Sequence, residues 1–255
     1  MLKTVLIDLS GTLHIENEAI PGAIDALNRI RTAKLGIKFV TNTTKESRNF
    51  LYNRLTKLGF QLQPDEIHSS LGAAKSLIIN RNLRPILLLA PEAMEDFVGL
   101  ECEALDKVNA VVIGLAPTEF HYDRLNQAFR CILGGAQLIG IHAGKYYKRE
   151  DGLALGPGCF VKGLEYSTQS KAELVGKPNP TFFESALAGT LPEQGVMIGD
   201  DVQDDIEGAM KVGMKGFLVK TGKYRPGDEF KISSPPTAVF SSFSEAVDEI
   251  LNHYC

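Results

Sequence analysis

Residues 5–12 read Val-Leu-Ile-Asp-Leu-Ser-Gly-Thr, a short apolar run that ends in an aspartate and a Gly-Thr turn. Such a run is typical of a buried strand in a parallel sheet. Ligands of open α/β sheets bind beyond the carboxyl ends of the strands, so we expect Asp8 at the mouth of a site. A carboxylate there can attack phosphorus or bind a metal ion. Alternatively, Asp8 only caps the turn.

Apolar strand-like runs alternate with helical patterns on both sides of this stretch. The predicted strands are 3–8, 37–41, 195–199 and 216–219, and the predicted helices are 21–33, 45–58 and 204–212. Ser242 and Glu245 form a capping-box pattern for a last helix. This alternation predicts an α/β fold with a mostly parallel sheet that is covered on both faces.

The middle of the chain has its own alternation. Strands are predicted at 84–90, 109–114 and 136–142, and helices at 121–133 and from 158 to about 167. The segment is long enough for an inserted α/β domain with two crossings to the core. We therefore predict a core domain over 1–75 and 172–255 and an insert over 76–171.

Two further predicted strand ends carry polar residues. Thr41, Asn42 and Thr43 follow the second strand, and a hydroxyl with free backbone N–H groups at a helix start can cradle phosphate. Lys177 follows a short strand and a glycine, and a cation there would neutralise a phosphate or a nucleophile. The alternatives are ordinary helix caps and a solvated surface lysine.

An acidic cluster follows the strand at 195–199. Aspartates occupy positions 200, 201, 204 and 205. Because packed like charges repel, a cation is needed to hold them together. Hard oxygen ligands in small number suit Mg²⁺, with water and substrate phosphate completing its shell. Capping of the helix at 204–212 would explain one or two of these aspartates.

Composition excludes several classes of function. The chain has 255 residues, a formal net charge of −4 and no basic tract, which argues against nucleic acids and anionic membranes as partners. No apolar stretch reaches the roughly 18 residues of a membrane span. The four cysteines show no metal-binding spacing, so free thiols in a reducing, cytoplasmic compartment are expected.

Taken in order, these strand ends resemble the motifs of the haloacid dehalogenase (HAD) superfamily of phosphohydrolases. The matching residues are 8–12 (Asp-Leu-Ser-Gly-Thr), Thr41, Lys177 in Gly-Lys-Pro-Asn-Pro, Gly199–Asp200, and Asp205–Ile206. The resemblance covers essentially the whole chain. It implies a Rossmann-like parallel-sheet core with an inserted α/β cap of the C2 type.

The resemblance also implies a Mg²⁺ site. Asp8 would be both the nucleophile and a metal ligand, and the backbone carbonyl of Ser10 would be a second ligand. Asp200 would be the third protein ligand, with Asp205 or Asp201 acting directly or through water.

By the same resemblance, Thr41 and the backbone at Asn42 and Thr43 would hold the phosphoryl oxygens, and Lys177 would bridge Asp8 and the phosphate. Phosphatases of this superfamily usually carry a second aspartate two residues after the nucleophile, which protonates the leaving group. Here that position is Ser10. Serine is a poor general acid, and such help is typically worth about 10²–10⁴ in rate.

Two functions of different classes follow. The first is a Mg²⁺-dependent phosphatase that acts through an aspartyl-phosphate on a small phosphorylated substrate, such as an N-phosphorylated compound, an acyl phosphate or pyrophosphate. The second, motivated by Ser10, is a catalytically weak phospho-ligand-binding or scaffold protein. Dehalogenation ranks third, because halide displacement needs no metal. A homo-oligomer formed through the cap is a further possibility.

Overall fold

The computed structural model describes residues 1–149 and 152–254 of the chain. The chain divides into two compact units. The first consists of Met1–Thr41, Asn49–Ser69 and the chain from Lys177 onward, and the second consists of Asn42–Arg48 and Ser70–Gly176.

Strands and helices alternate along most of the chain, as the sequence predicts. The strands are β1 (Thr4–Asp8), β2 (His14–Ile15), β3 (Glu18–Ala19), β4 (Gly36–Thr41), β5 (Ile67–Ser69), β6 (Pro85–Leu88), β7 (Ala110–Ile113), β8 (Gln137–Gly140), β9 (Tyr146–Arg149), β10 (Gly152–Leu155), β11 (Glu173–Leu174), β12 (Gly195–Gly199), β13 (Lys215–Val219) and β14 (Ala238–Phe240). The helices are α1 (Ala23–Thr32), α2 (Arg48–Lys57), α3 (Ser70–Asn80), α4 (Tyr122–Leu133), α5 (Gly158–Thr168), α6 (Pro180–Leu187), α7 (Gly208–Lys211) and α8 (Phe243–His253). A wider helical turn, Val202–Glu207, leads into α7.

The first unit is built on a six-stranded sheet in the order β14-β13-β12-β1-β4-β5. All its neighbouring strands are parallel. All five residues of β1 and of β12 are buried, which explains their continuous apolar runs. The predicted α/β class with a central parallel sheet is therefore confirmed, and β1 lies inside the sheet between β12 and β4.

Helices complete the core of this unit. α1 and α8 bury Leu27, Ile30, Val247 and Ile250 in one cluster with the apolar residues of the sheet. Each such side chain contributes about 1.5–3 kcal/mol when fully buried. The predicted cap of α8 is present, since the Ser242 hydroxyl accepts a hydrogen bond from the Glu245 amide at 3.3 Å.

The second unit has its own parallel sheet, in the order β11-β8-β7-β6. Separate apolar clusters cover the faces of this sheet; α3 contributes to one of them and α4 and α5 to the other. β9 and β10 pair as antiparallel strands. This segment is thus an α/β unit with a core that is independent of the first.

The second unit contains all of the predicted insert, 76–171, and also 42–48, 70–75 and 172–176. α3 is continuous from Ser70 to Asn80, so residues 70–75 remain with the rest of that helix. Glu173 and Leu174 pair with β8, so they remain with its sheet. The Thr44 hydroxyl accepts a hydrogen bond from the Leu115 amide at 3.1 Å, which ties the 42–48 segment to the same unit.

In the part of the chain that is described, no helix is long and apolar enough to cross a membrane. Cys102, Cys131 and Cys159 are free thiols, as expected, and Cys255 lies outside the described residues.

Candidate active site

The carboxylates of the first and last motifs leave the sheet at the same edge. β1 ends at Asp8, and its neighbour β12 ends directly before Asp200. The two strands are parallel with Ile7 opposite Ile198, so their carboxyl ends coincide. Asp8 is 7% exposed and Asp200 is 1% exposed. Two buried carboxylates therefore converge where ligands of such sheets bind.

Lys177 lies between two carboxylates. Its Nζ donates hydrogen bonds to Asp8 Oδ1 at 2.5 Å and to Asp205 Oδ1 at 2.6 Å, and its side chain is 3% exposed. Burial alone would lower the pKa of Lys177, but attraction to Asp205 and Asp8 outweighs burial and raises that pKa well above its ordinary value. The lysine therefore stays charged, and the interpretation as a solvated surface lysine is wrong.

Asp200 has one engaged oxygen and one open oxygen. Its Oδ2 accepts a hydrogen bond from the Lys223 amide at 2.6 Å, whereas its buried Oδ1 has no hydrogen-bond partner among the described residues. Burial, and then repulsion by Asp8, raises the pKa of Asp200 to about 7. A buried carboxylate oxygen without a donor is costly, so this atom is suited to a cation.

The donor set fits a hard divalent cation. Asp8, Asp200 and Asp205 each offer one oxygen, and these atoms all lie within 4.8 Å of one another. The oxygens of Asp205 already have donors, since Oδ1 accepts from Lys177 and Oδ2 accepts from the Asp201 amide at 3.1 Å. Asp200 is therefore the most available direct ligand, and Asp205 chiefly fixes Lys177. Carboxylate oxygens in this number suit Mg²⁺.

The other two aspartates of the cluster are engaged differently. Asp201 Oδ1 accepts hydrogen bonds from the Gln203 and Asp204 amides, both at 3.0 Å, so Asp201 is the N-cap of the helical turn. The helix consequently begins at Val202, and the predicted start at Asp204 is wrong by two residues. Burial, and then repulsion by Asp201, raises the pKa of Asp204 to about 6.

The remaining predicted residues are placed as follows. Thr41 ends β4, beside β1, and is buried. Asn42 and Thr43 belong to the second unit, where the Ser70 hydroxyl donates to the Thr43 carbonyl at 3.4 Å. Ser10 is exposed in the turn after β1. The first unit thus brings together Asp8, Lys177, Asp200 and Asp205, with Thr41 at the end of the adjacent strand.

One part of the site was missed by sequence analysis. The turn Thr221–Lys223 follows β13, the neighbour of β12, and the Lys223 amide contacts Asp200. The Thr221 hydroxyl donates to the Gly11 carbonyl at 2.5 Å. The sequence predicts a strand over 216–219, so the rule that functional groups follow the carboxyl ends of strands applies to this turn too.

Replacing Lys177 with methionine is expected to destabilise the metal-free protein by about 3–5 kcal/mol near pH 8, because buried carboxylates lose their counter-charge. The deficit should shrink at lower pH. Asp200 and Asp204 already have pKa values raised to about 7 and about 6, and removing the lysine raises them further. Because these carboxyl groups have higher pKa values in the folded protein than in the unfolded chain, the free energy of unfolding falls as pH rises towards the folded-state values.

Urea unfolding of both proteins in chelator, at about pH 5.5 and about pH 8, measures this difference. An equal deficit at both pH values would contradict the assignment of Lys177 as the counter-charge of the carboxylates.

Family models and known proteins match most of the chain. A model described as haloacid dehalogenase-like hydrolase matches residues 5–100, and a HAD-hydrolase-like model matches residues 174–246. The chain is 58% identical to haloacid dehalogenase-like hydrolase domain-containing protein 2 from Homo sapiens over 254 residues, 99% of this chain and 97% of that protein.

Two more distant matches have names that state an activity. The chain is 39% identical to phospholysine phosphohistidine inorganic pyrophosphate phosphatase from Xenopus laevis, over 98% of this chain and 95% of that protein. It is similar to the crystal structure of glycerol phosphate phosphatase from Mycobacterium tuberculosis in complex with magnesium, with a TM-score of 0.84 and 26% identity over 96% of this chain and 76% of that one. The nearly full-length matches at 58% and 39% identity show that the chain belongs to the haloacid dehalogenase-like hydrolase family.

Proposed function

We propose that this protein is a Mg²⁺-dependent phosphatase that acts through an aspartyl-phosphate at Asp8. The observation that carries the proposal is the buried charge arrangement, in which Lys177 bridges Asp8 and Asp205 beside the open oxygen of Asp200. The names of the Xenopus laevis and Mycobacterium tuberculosis relatives support phosphatase activity, and the Mycobacterium tuberculosis structure contains magnesium.

The chemistry assigns a role to each group. A carboxylate oxygen of Asp8 attacks phosphorus, the bond from phosphorus to the leaving group breaks with its electron pair, and water then releases phosphate from Asp8. Lys177 offsets negative charge at Asp8 and the phosphoryl group, while Thr41, Asn42 and Thr43 bind phosphoryl oxygens.

The candidate metal ligands are Asp8, Asp200, Asp205 and the Ser10 carbonyl. Mg²⁺ supplies charge neutralisation and orientation, which dominate catalysis of phosphoryl transfer.

The substrate class follows from Ser10. This residue stands where a general acid is expected, and its hydroxyl does not ionise near neutral pH. The favoured substrates are therefore those whose leaving group departs as a stable anion, namely acyl phosphates and pyrophosphate, and N-phosphorylated compounds, whose nitrogen is readily protonated without an enzymic acid. The name of the Xenopus laevis relative includes phospholysine, phosphohistidine and inorganic pyrophosphate, which supports the same class.

Replacing Ser10 with aspartate is expected to raise kcat/KM for alkyl phosphates, such as sugar phosphates, more than for acetyl phosphate. Alkoxide leaving groups need a proton in the transition state, whereas acetate leaves as a stable anion. The gain on alkyl phosphates should approach the roughly 10²-fold lower bound of general-acid catalysis. Comparing kcat/KM for both substrates in wild type and S10D measures the change in transition-state stabilisation.

Equal wild-type kcat/KM on acetyl and alkyl phosphates would contradict this assignment of Ser10. It would show that another group supplies the proton.

The phosphatase proposal is tested by phosphate release from p-nitrophenyl phosphate, acetyl phosphate, imidodiphosphate and pyrophosphate, with Mg²⁺ and with excess chelator. We expect turnover only with Mg²⁺. Absence of turnover on every substrate, combined with Mg²⁺-dependent binding of phosphate, would instead favour the weakly catalytic phospho-ligand-binding protein. A cytoplasmic location and a homo-oligomer formed through the cap stay predictions from the sequence.

A further inference from the structure

The turn that contacts Asp200, between β13 and β14, is held at both ends. At its start the Lys220 amide donates to the Phe240 carbonyl of β14 at 2.9 Å. At its end the Tyr224 amide donates to the Thr221 carbonyl at 3.0 Å. The intervening residues, Thr221–Lys223, therefore have a fixed backbone path beside the carboxyl edge of the sheet.

Two hydrogen bonds join this turn to the motif residues. The Lys223 amide donates to Asp200 Oδ2 at 2.6 Å, and the Thr221 hydroxyl donates to the Gly11 carbonyl at 2.5 Å. The first is a charge-assisted bond from the backbone, so it does not depend on the Lys223 side chain, which is 68% exposed. The turn thus connects Asp200 to the turn that follows Asp8.

Glycine is needed at the closest approach. Gly222 has a φ of +55°, and a Cβ on it would lie 2.1 Å from Asp200 Oδ2 and 2.4 Å from Gly11 Cα. Gly11 has a φ of +95°, and its Cβ would lie 2.2 Å from the same Oδ2. The Asp200 carboxylate is therefore enclosed by two glycine backbones, and any side chain at either position would displace it.

This enclosure determines which oxygen remains available. Asp200 Oδ2 is taken by the Lys223 amide and covered by Gly222, while Oδ1 is buried with no partner in the described part of the chain. We propose that the Thr221–Lys223 turn is a positioning element that fixes the Asp200 carboxylate with Oδ1 directed to the metal. The inference rests on the proposed Mg²⁺ site and adds Thr221 and Gly222 to the residues on which that site depends.

The test is Mg²⁺ binding, measured by calorimetry on the full-length protein without substrate. We expect Gly222→Ala to weaken Mg²⁺ binding by at least about tenfold, as is typical when the support of a metal ligand is lost. Gly189→Ala is the matched control, because Gly189 also has a positive φ, +91°, but its Cβ would meet nothing within 4 Å. The control should bind Mg²⁺ within about twofold of wild type.

A second pair of variants keeps the test decisive if Gly222→Ala fails to fold. Thr221→Val removes the hydroxyl that bonds the Gly11 carbonyl, and we expect weaker Mg²⁺ binding by about three- to tenfold. Thr221→Ser retains the hydroxyl and should restore the wild-type affinity. The melting temperature in chelator reports any general loss of stability separately from metal affinity.

Three results would overturn the inference. The first is wild-type Mg²⁺ affinity in Gly222→Ala or in Thr221→Val. The second is an equal loss in Gly189→Ala, which would show that backbone strain alone is responsible. The third is absence of Mg²⁺ binding by the wild type, which would also remove the metal from the proposed function; the first two results would leave that function intact.

Discussion

Replacing Asp8 with asparagine is expected to reduce phosphate release by on the order of 10⁴-fold or more, because an amide oxygen cannot replace the attacking carboxylate. The variant should nevertheless remain folded. Its amide oxygen can still accept the hydrogen bond that Lys177 Nζ now donates to Asp8 Oδ1. The substitution also removes the electrostatic repulsion between Asp8 and Asp200, since the charge of Asp8 helps to raise the pKa of Asp200.

Steady-state phosphate release and the melting temperature in chelator measure the two parts of this prediction. Asp25→Asn is a matched control, because Asp25 lies exposed in the first turn of α1. Acid quenching of the wild type during turnover, followed by mass spectrometry of its peptides, should place a phosphoryl group on Asp8. Activity retained in folded Asp8→Asn, or a phosphoryl group on another residue, would contradict the covalent mechanism.

The positions of Asp8 and Asp200 could be predicted because the signals are local. Each aspartate directly follows a fully buried apolar run, and parallel register brings the ends of such runs to one edge. The burial of Lys177 could not be predicted from its surroundings. Its partners Asp8 and Asp205 lie 169 and 28 residues away in the chain, and without them a lysine is most stable in water.

The placement of residues 42–48 in the second unit could not be predicted either, because it depends on partners that are distant in the chain. The sequence pattern runs directly from β4 into α2, yet the Thr44 hydroxyl contacts the Leu115 amide and His142 Nε2, 71 and 98 residues away. The Thr221–Lys223 turn was missed for a different reason. It contributes the Lys223 backbone amide, the Thr221 hydroxyl and a glycine, and their role is visible only once the fold places them against Asp200 and Gly11.

Replacing Asp200 with asparagine should have opposite effects on metal binding and on stability. We expect Mg²⁺ affinity to fall by more than about 100-fold, because the charged ligand with an open oxygen is lost. The metal-free variant should be more stable than the wild type by a few kcal/mol near pH 8. The pKa of Asp200 is raised to about 7, so ionising this buried carboxylate opposes folding above that pH.

The sign of the pH dependence makes this prediction specific. Because the folded-state pKa of Asp200 exceeds its unfolded value, wild-type stability without metal should fall as pH rises from about 5 to about 8, and Asp200→Asn should show less of this fall. Mg²⁺ should restore the wild type at the upper pH and leave Asp200→Asn unchanged. Melting temperatures at both pH values, with chelator and with Mg²⁺, provide the comparison. If Mg²⁺ raised both melting temperatures equally, Asp200 would not be a metal ligand, and the open oxygen would need a different partner.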